Sequence, residues 1–190
     1  MSMNIGALCT TRQCASGNGN KTALRFVAPD LSTTDYTFND LDLLSNRAAN
    51  ALQDVGLATG DVAMIFLPKQ VEVFTAFLGI LKLQAVAGIL FSNFGKEAVF
   101  ERLLDSSAKV LITKTSLANK LKDLLPQLPA LERVILTDLD EHGCDEVLSF
   151  SQLTDEASDQ FEAAPTDPST PSTLHYTSGS TGKPKGVLHV

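Results

Sequence analysis

A run of hydroxyl, glycine and lysine residues near the end of the chain has the composition of a phosphate-binding site. Residues 176–186 read Tyr-Thr-Ser-Gly-Ser-Thr-Gly-Lys-Pro-Lys-Gly. The glycines permit backbone conformations closed to other residues, so that successive amides can converge on an anion. Hydroxyls can donate to phosphate oxygens, and the lysines add positive charge. The candidate residues are Thr177, Ser178, Gly179, Ser180, Thr181, Gly182, Lys183, Lys185 and Gly186.

Two other phosphate-binding motifs do not match the chain. A Walker loop needs Gly-x-x-x-x-Gly-Lys-Ser/Thr. Here Gly179 and Gly182 are too close, and Pro184 occupies the position of the Ser or Thr that would bind magnesium. The segment beginning at Gly17 starts like a dinucleotide fingerprint, but Thr22 stands where the third glycine belongs. The run at 176–186 is therefore a different kind of phosphate loop.

Two further interpretations of this run are weaker. A nucleophile elbow is excluded because neither Ser178 nor Ser180 has a glycine two residues before it. A flexible Ser/Gly linker remains the alternative to phosphate binding. Two lysines, a proline and apolar flanks argue against that linker. For Lys183, a solvated loop lysine is as good an interpretation as a phosphate ligand.

Composition excludes several classes of protein. The chain has 190 residues, 44% of them hydrophobic, and a formal net charge of -7, so it is globular and no nucleic-acid partner is expected. The three cysteines, Cys9, Cys14 and Cys144, form no Cys-x-x-Cys pair. We therefore predict reduced thiols in a cytoplasmic protein, without a disulfide framework or a metal site. The N-terminus does not resemble a signal peptide.

One apolar stretch, residues 73–91, is about as long as a membrane span. Lys82 and Gln84 lie near its middle, and a central lysine costs about 2.5–3.5 kcal/mol for insertion. A buried helix that runs into a buried strand is the better prediction, so no membrane partner is expected.

Strand and helix patterns alternate along the chain, which favours an α/β fold with a mostly parallel sheet and helices on both faces. Asn39 is the expected N-cap of the first long helix. Val99, Leu103 and Leu104 are expected to face inward from a helix over residues 96–106. The predicted strands cover residues 22–28, 36–38, 61–67, 86–90, 110–113, 133–137 and 173–177, and the other predicted helices follow Asn39 and cover residues 71–83 and 116–125.

The chain divides by composition into three parts. Residues 1–153 form an N-terminal α/β subdomain, 154–172 an acidic linker with several prolines, and 173–190 a strand, the phosphate loop and the start of another strand. We expect that last strand to have nothing to pair with. The chain is accordingly predicted to be the N-terminal part of a longer protein.

The run at 176–186 resembles the signature of the adenylate-forming superfamily, which includes acyl-CoA synthetases, luciferases and peptide-synthetase adenylation domains. Residues 36–41, Tyr-Thr-Phe-Asn-Asp-Leu, and 81–88, Leu-Lys-Leu-Gln-Ala-Val-Ala-Gly, resemble earlier motifs of that group. Residues 94–106, 108–113, 174–182 and 186–190 resemble AMP-forming acetyl-CoA synthetases in particular. The resemblance implies the N-terminal portion of the large domain of the adenylate-forming fold.

The resemblance also implies a reaction and its cofactors. A carboxylate, acetate or another short-chain acid, attacks the α-phosphate of ATP held with Mg²⁺, and the thiol of CoA then displaces AMP. The loop holds the β- and γ-phosphates. The adenine and acyl pockets and the catalytic lysine of the family lie beyond Val190, so no catalytic residue is expected in this chain, which should be inactive alone.

Coenzyme contacts can be transferred from the family to five positions, which are Phe91, Ser92, Asn93, Asn119 and Lys122. Relatives have arginine at the last two, and lysine is a point charge rather than a planar fork. For Lys120 and Lys122, a solvated helix face is the favoured interpretation. His175 and His189, which flank the loop, are predicted to be packing or supporting residues.

Two other functions remain open. The chain could be a non-catalytic module that binds a nucleotide or a partner, and exposed sheet edges would then favour self-association. It could also belong to a ligase for another acyl or aryl acid, which only pocket residues outside the chain would reveal.

Overall fold

The computed structural model describes residues 4–143, 147–178 and 184–190, and every structural statement below concerns these ranges. The strands are β1 (Thr22–Val27), β2 (Thr33–Thr37), β3 (Val62–Leu67), β4 (Val86–Phe91), β5 (Val110–Thr113), β6 (Arg133–Leu136), β7 (Val147–Ser149), β8 (Thr173–Ser178) and β9 (Pro184–His189). The helices are α1 (Ile5–Cys9), α2 (Thr11–Gln13), α3 (Phe38–Asp54), α4 (Val71–Lys82), α5 (Lys96–Asp105), α6 (Thr115–Leu121) and α7 (Phe150–Glu156).

Seven of these strands form one sheet in the order β7-β6-β5-β3-β4-β8-β9, and β1 and β2 form a separate hairpin. Neighbours in the large sheet are parallel except for β8 and β9, which are antiparallel. The predicted mostly parallel sheet is confirmed. Because parallel strands end at the same edge, the carboxyl ends of β3, β4, β5, β6 and β8 all point to one side of the sheet.

Two apolar layers cover opposite faces of the sheet. Side chains of β3 alternate between them, with Ile65 facing α3 and α4 and Met64 facing α5 and α6. This burial on both faces explains the unbroken apolar run of β3. Helices therefore lie on both faces, as predicted.

The apolar stretch at residues 73–91 forms most of α4 and all of β4, as predicted. Lys82 ends the helix with its side chain fully buried, because Asp42 and Asn46 of α3 receive its ammonium group. No helix of the described ranges is both long enough and apolar enough to cross a bilayer.

The expected N-cap of α3 is wrong by two residues. Thr37 is the N-cap, its hydroxyl accepts the amide of Asp40, and the Asp40 carboxylate accepts the amide of Thr37 at 2.8 Å. This reciprocal capping box satisfies two amides, which one Asn39 cap would not. Asn39 lies inside the first turn. Gly56, just beyond the helix, has the positive φ expected of a helix terminator.

Other local predictions also need correction. Leu104 is not inward but 45% exposed, because Val99 and Leu103 already fill the buried stripe of α5. The helix predicted over 116–125 ends at Leu121 and is followed by a separate 3-10 turn, Leu125–Gln127, where a proline interrupts helical bonding. β7, α1 and α7 lack long periodic patterns and were not predicted.

The end of the chain also differs from expectation. β9 pairs along its whole length with β8, so its backbone has a partner, although most of its side chains are exposed. α7 continues to Glu156, three residues into the predicted linker. The irregular segment after it lies against the helical layer, where Asn46 donates to the carbonyl of Asp159 and Gln84 to that of Ala164. The three-part division by composition stays a prediction.

Candidate phosphate and coenzyme sites

The candidate phosphate residues are carried by the antiparallel β8–β9 pair. Thr177 pairs with Lys185, and Ser178 with Pro184, at the carboxyl end of β8. Thr177 and Lys185 are exposed there. Gly179, Ser180, Thr181, Gly182 and Lys183 lie outside the described residues.

Gly186 does not depend on the conformational freedom of glycine. It lies within β9, opposite Tyr176, and its φ is not in the positive region that favours glycine. A Cβ at this position would lie 3.4 Å from the Tyr176 ring and 3.2 Å from Leu174 Cδ1. An added Cβ would therefore crowd the Leu174 side chain first, and it would be in ordinary contact with the Tyr176 ring.

Tyr176, the first residue of the motif, is anchored to α5. Its hydroxyl donates to Asp105 Oδ2 at 2.7 Å, with the carbonyl of Arg102 at 3.3 Å as a second acceptor. Burial, and then the hydrogen bond to Asp105 and its negative charge, raise the pKa of the Tyr176 hydroxyl. The hydroxyl therefore keeps its proton and remains a donor.

Arg102 completes this anchor. Its Cζ lies 4.6 Å from the centroid of the Phe94 ring and 5.5 Å from that of Tyr176, within the range of cation–π attraction. Its Nη1 donates to the carbonyl of Ala98 at 2.6 Å. Neither Arg102 nor Asp105 was among the predicted site residues, since charged positions on an amphipathic helix look like a solvated face.

The histidines beside the motif contact one another across the two strands. The ring centroids of His175 and His189 lie 5.2 Å apart, nearly perpendicular. Both side chains are exposed. No group of three or more His, Cys, Asp or Glu side chains in the described ranges could hold a metal ion.

The candidate coenzyme residues do not form one compact cluster. Phe91 ends β4 at the carboxyl edge, is 69% exposed, and meets Phe94 edge to face at 5.4 Å between centroids. Ser92 and Asn93 follow it in the same turn. Asn119 and Lys122 are exposed at α6. Lys122 lines a groove together with Arg133, the first residue of β6. Lys122 therefore lies towards the amino ends of the parallel strands, whereas Phe91 lies at their carboxyl ends.

Comparison with known proteins agrees with this architecture. The family model described as AMP-binding enzyme matches residues 11–190. Among curated proteins, the acetyl-coenzyme A synthetase of Bacillus subtilis is 35% identical over 190 residues, which cover 99% of this chain and 32% of that protein. The acetyl-coenzyme A synthetase of Salmonella typhimurium is 33% identical over 207 residues, which cover 98% of this chain and 31% of that protein.

Solved structures give the same result. An acyl-CoA synthetase of Brucella canis superimposes with a TM-score of 0.86 at 29% identity, covering 99% of this chain and 33% of that one. An anthranilate CoA ligase in complex with anthranoyl-AMP superimposes with a TM-score of 0.87 at 28% identity, and the match covers 100% of this chain and 35% of that one. The chain thus spans about a third of the length of these relatives. With its fold, its motif and nearly its whole length matched, the chain belongs to the AMP-binding enzyme family, the adenylate-forming acyl-CoA synthetases.

Proposed function

We propose that this chain supplies the ATP-phosphate-binding part of an AMP-forming synthetase that joins acetate, or another short-chain acid, to CoA. A carboxylate oxygen attacks the α-phosphorus of ATP, and the bond to the leaving pyrophosphate breaks. The CoA thiolate then attacks the acyl carbon and AMP leaves. The acetyl-coenzyme A synthetases that match nearly the whole chain support this choice of acid.

One structural observation carries the proposal. β4 and β8 are parallel neighbours, with Ala87 opposite Thr173 and Gly88 opposite Leu174. Their carboxyl ends therefore bring Phe91–Asn93 and the phosphate motif to the same edge of the sheet, where open α/β sheets bind their ligands. Nucleotide phosphates and the acyl-accepting coenzyme would meet at this edge.

The residues of the chain would act by holding the leaving group. Hydroxyl and amide donors of residues 177–182 would bind the β- and γ-phosphates and stabilise the charge that develops on pyrophosphate. Lys183 and Lys185 would supply counter-charge. Pre-oriented donors of this kind can lower a barrier by several kcal/mol. Mg²⁺ would arrive with the triphosphate.

Coenzyme binding is the second part of the proposal. Phe91, Ser92 and Asn93 would contact the end of CoA that carries the thiol, and Asn119 and Lys122 its nucleotide phosphates. The wide separation of these two groups suits a long ligand. Cys9 and Cys14 are free thiols, which agrees with a reducing compartment, and we place the protein in the cytoplasm as part of this proposal.

Titration of the 190-residue chain with Mg·ATP in a calorimeter tests phosphate binding. The Lys183→Met/Lys185→Met double variant should bind at least about tenfold more weakly, because it removes two charges from the motif. The matched Lys114→Met/Lys120→Met variant, which changes two lysines at α6, should bind as the wild type does. Equal affinity in all three proteins would refute the phosphate role.

The chain alone is proposed to be inactive, since it spans only about a third of its relatives. Incubation with ATP, Mg²⁺ and acetate should then release no pyrophosphate above background. Sustained release by the purified chain would overturn this part of the proposal and leave the binding role intact.

A non-catalytic module that self-associates is the second candidate. It is favoured by β9, which lies at the edge of the sheet with Val187 43% and Leu188 51% exposed. Light scattering over a range of concentrations distinguishes the two. A monomer at all concentrations, with or without ATP, would exclude self-association.

A further inference from the structure

We propose that Arg102 is a positioning residue for the phosphate motif, acting through Tyr176 rather than by contact with phosphate. The inference rests on the proposed function, in which the β8–β9 pair holds the phosphates of ATP. Arg102 lies on α5, a helix that contributes none of the nine candidate phosphate residues.

The first step is that the guanidinium is held in one place. Phe94 and Tyr176 lie within 6 Å of Arg102 Cζ, at 4.6 and 5.5 Å. The hydrogen bond from Nη1 to the carbonyl of Ala98, at 2.6 Å, fixes the group against its own helix. Its Nε is buried and has no hydrogen-bond partner among the described residues. The aromatic contacts are therefore a main reason for this placement.

The second step is that two residues of α5 contact Tyr176. Arg102 Cζ lies 5.5 Å from the ring centroid, and Asp105 accepts a hydrogen bond from the hydroxyl at 2.7 Å. Both residues belong to one helix, three positions apart, so they lie on the same side of it. These two contacts restrain the position of the ring relative to α5.

The third step carries this restraint to the motif. Tyr176 directly precedes Thr177, and its ring lies over Gly186 of the neighbouring strand. Fixing the ring therefore fixes both strands where they begin to present the phosphate donors. Preorganised donors bind an anion better than donors that must first be ordered, so Arg102 should raise phosphate affinity without touching the ligand.

The test compares Arg102→Met, Arg102→Lys and Tyr176→Phe in the 190-residue chain. Arg25→Met is the matched control, because it removes an arginine from an exposed ion pair with Asp35 on the β1–β2 hairpin. Calorimetry gives the affinity for Mg·ATP at several salt concentrations. Amide hydrogen exchange gives the local protection of β8 and β9 relative to β3, and urea unfolding gives the global stability.

Arg102→Met should weaken Mg·ATP binding about fivefold or more and speed exchange in β8 and β9, while β3 stays protected. Arg102→Lys should recover part of the affinity because it keeps a cation near the rings. Tyr176→Phe should show a smaller loss through the missing hydroxyl. Arg25→Met should match the wild type. The salt dependence of binding should be the same in Arg102→Met and wild type, since no charge contact with phosphate is lost.

Where the wild-type chain binds Mg·ATP, three outcomes would overturn the inference. One is unchanged affinity and exchange in a folded Arg102→Met protein, and another is a flatter salt dependence, which would mean direct contact between Arg102 and phosphate. If Arg102→Met fails to fold, wild-type behaviour of both Arg102→Lys and Tyr176→Phe would be the third.

If the wild-type chain binds no nucleotide, the proposed function fails by itself. Exchange in β8 and β9 then decides whether Arg102 orders these strands, and no change in Arg102→Met would reject it.

Discussion

Lys82 Nζ lies 2.8 Å from Asp42 Oδ1, in a contact between α4 and α3 that leaves the Lys82 side chain with no exposed surface. The ammonium group also donates to Asn46 Oδ1 at 2.6 Å. Asp42 is 20% exposed and accepts a further hydrogen bond from Thr11 at 2.6 Å. The two partners are thus unequally buried. Removing Asp42 leaves a fully buried lysine without its counter-charge, whereas removing Lys82 leaves a partly exposed aspartate.

The first prediction follows from this inequality. Asp42→Ala should lower the free energy of unfolding by about 3–5 kcal/mol, because it leaves the fully buried Lys82 without a counter-charge. Lys82→Met should cost less, since it removes the more buried charge and keeps an aliphatic chain in place. Urea unfolding of the two variants measures the difference. Asp35→Ala, which breaks an exposed ion pair with Arg25, should cost much less stability than Asp42→Ala. A greater loss in Lys82→Met than in Asp42→Ala would contradict this account.

The second prediction concerns pH. Burial by itself raises the pKa of Asp42, but the hydrogen bonds from Lys82 and Thr11 and the charge of Lys82 together lower it below its ordinary value. A depressed carboxyl pKa contributes stability above the ordinary Asp range, about pH 4, and that stability is lost as pH falls through the folded-state value. Urea midpoints between about pH 6 and pH 3 should therefore fall more steeply in the wild type than in Asp42→Ala. Parallel curves would show that this carboxylate is not responsible.

The third prediction concerns the packing of α4 on α3. A Cβ on Gly79 would come 2.9 Å from both Ala48 Cβ and the amide nitrogen of Ala49. Backbone cannot yield as a flexible side chain does, so Gly79→Ala should destabilise the protein by about 1–3 kcal/mol despite the better helix propensity of alanine. Thermal unfolding provides the measurement. Gly95→Ala is the control, since its Cβ would meet only Glu97 Oε2 at 3.8 Å, and it should cost under about 1 kcal/mol.

The fourth prediction separates the two groups of candidate coenzyme residues. Because Phe91 lies at the carboxyl edge of the sheet and Lys122 towards the opposite edge, each should affect a different end of CoA. Lys122→Ala should weaken binding of adenosine 3′,5′-bisphosphate and leave pantetheine unaffected. Phe91→Ala should show the reverse. Ligand-detected NMR titration with the two fragments measures both affinities, and Lys120→Ala serves as a control on α6. Loss of both fragments in one variant would disprove the division.

Sequence patterns were a good guide to regular elements and a poor guide to their ends. The unbroken apolar run of β3 predicted a strand buried on both faces, and the structure confirms it. Asparagine is a good cap, so the sequence predicts Asn39 as the N-cap of α3, whereas the reciprocal hydrogen bonds of Thr37 and Asp40 decide the boundary. β7 has only three residues, too few for a periodic pattern to show.

The candidate site likewise has one part that the sequence indicates and another part that it does not. The candidate phosphate motif could be proposed from the sequence because its glycines, hydroxyls and lysines are adjacent in the chain. Its supports could not, because Arg102 and Asp105 precede Tyr176 by 74 and 71 residues. In the sequence they are two charges on an amphipathic helix, without any signal that a tyrosine ring contacts them.

The sequence by itself thus determined the alternation of strands and helices and the parallel sheet, and it indicated a candidate phosphate motif, since local hydrophobic periodicity and backbone freedom depend on neighbouring residues. Only the tertiary structure decided which charges are buried, where β9 pairs, and which helix contacts Tyr176. Lys82 illustrates the reason. A lysine within an apolar stretch has the same sequence context whether or not it has a partner, and only the packing of α4 on α3 brings Asp42 to it.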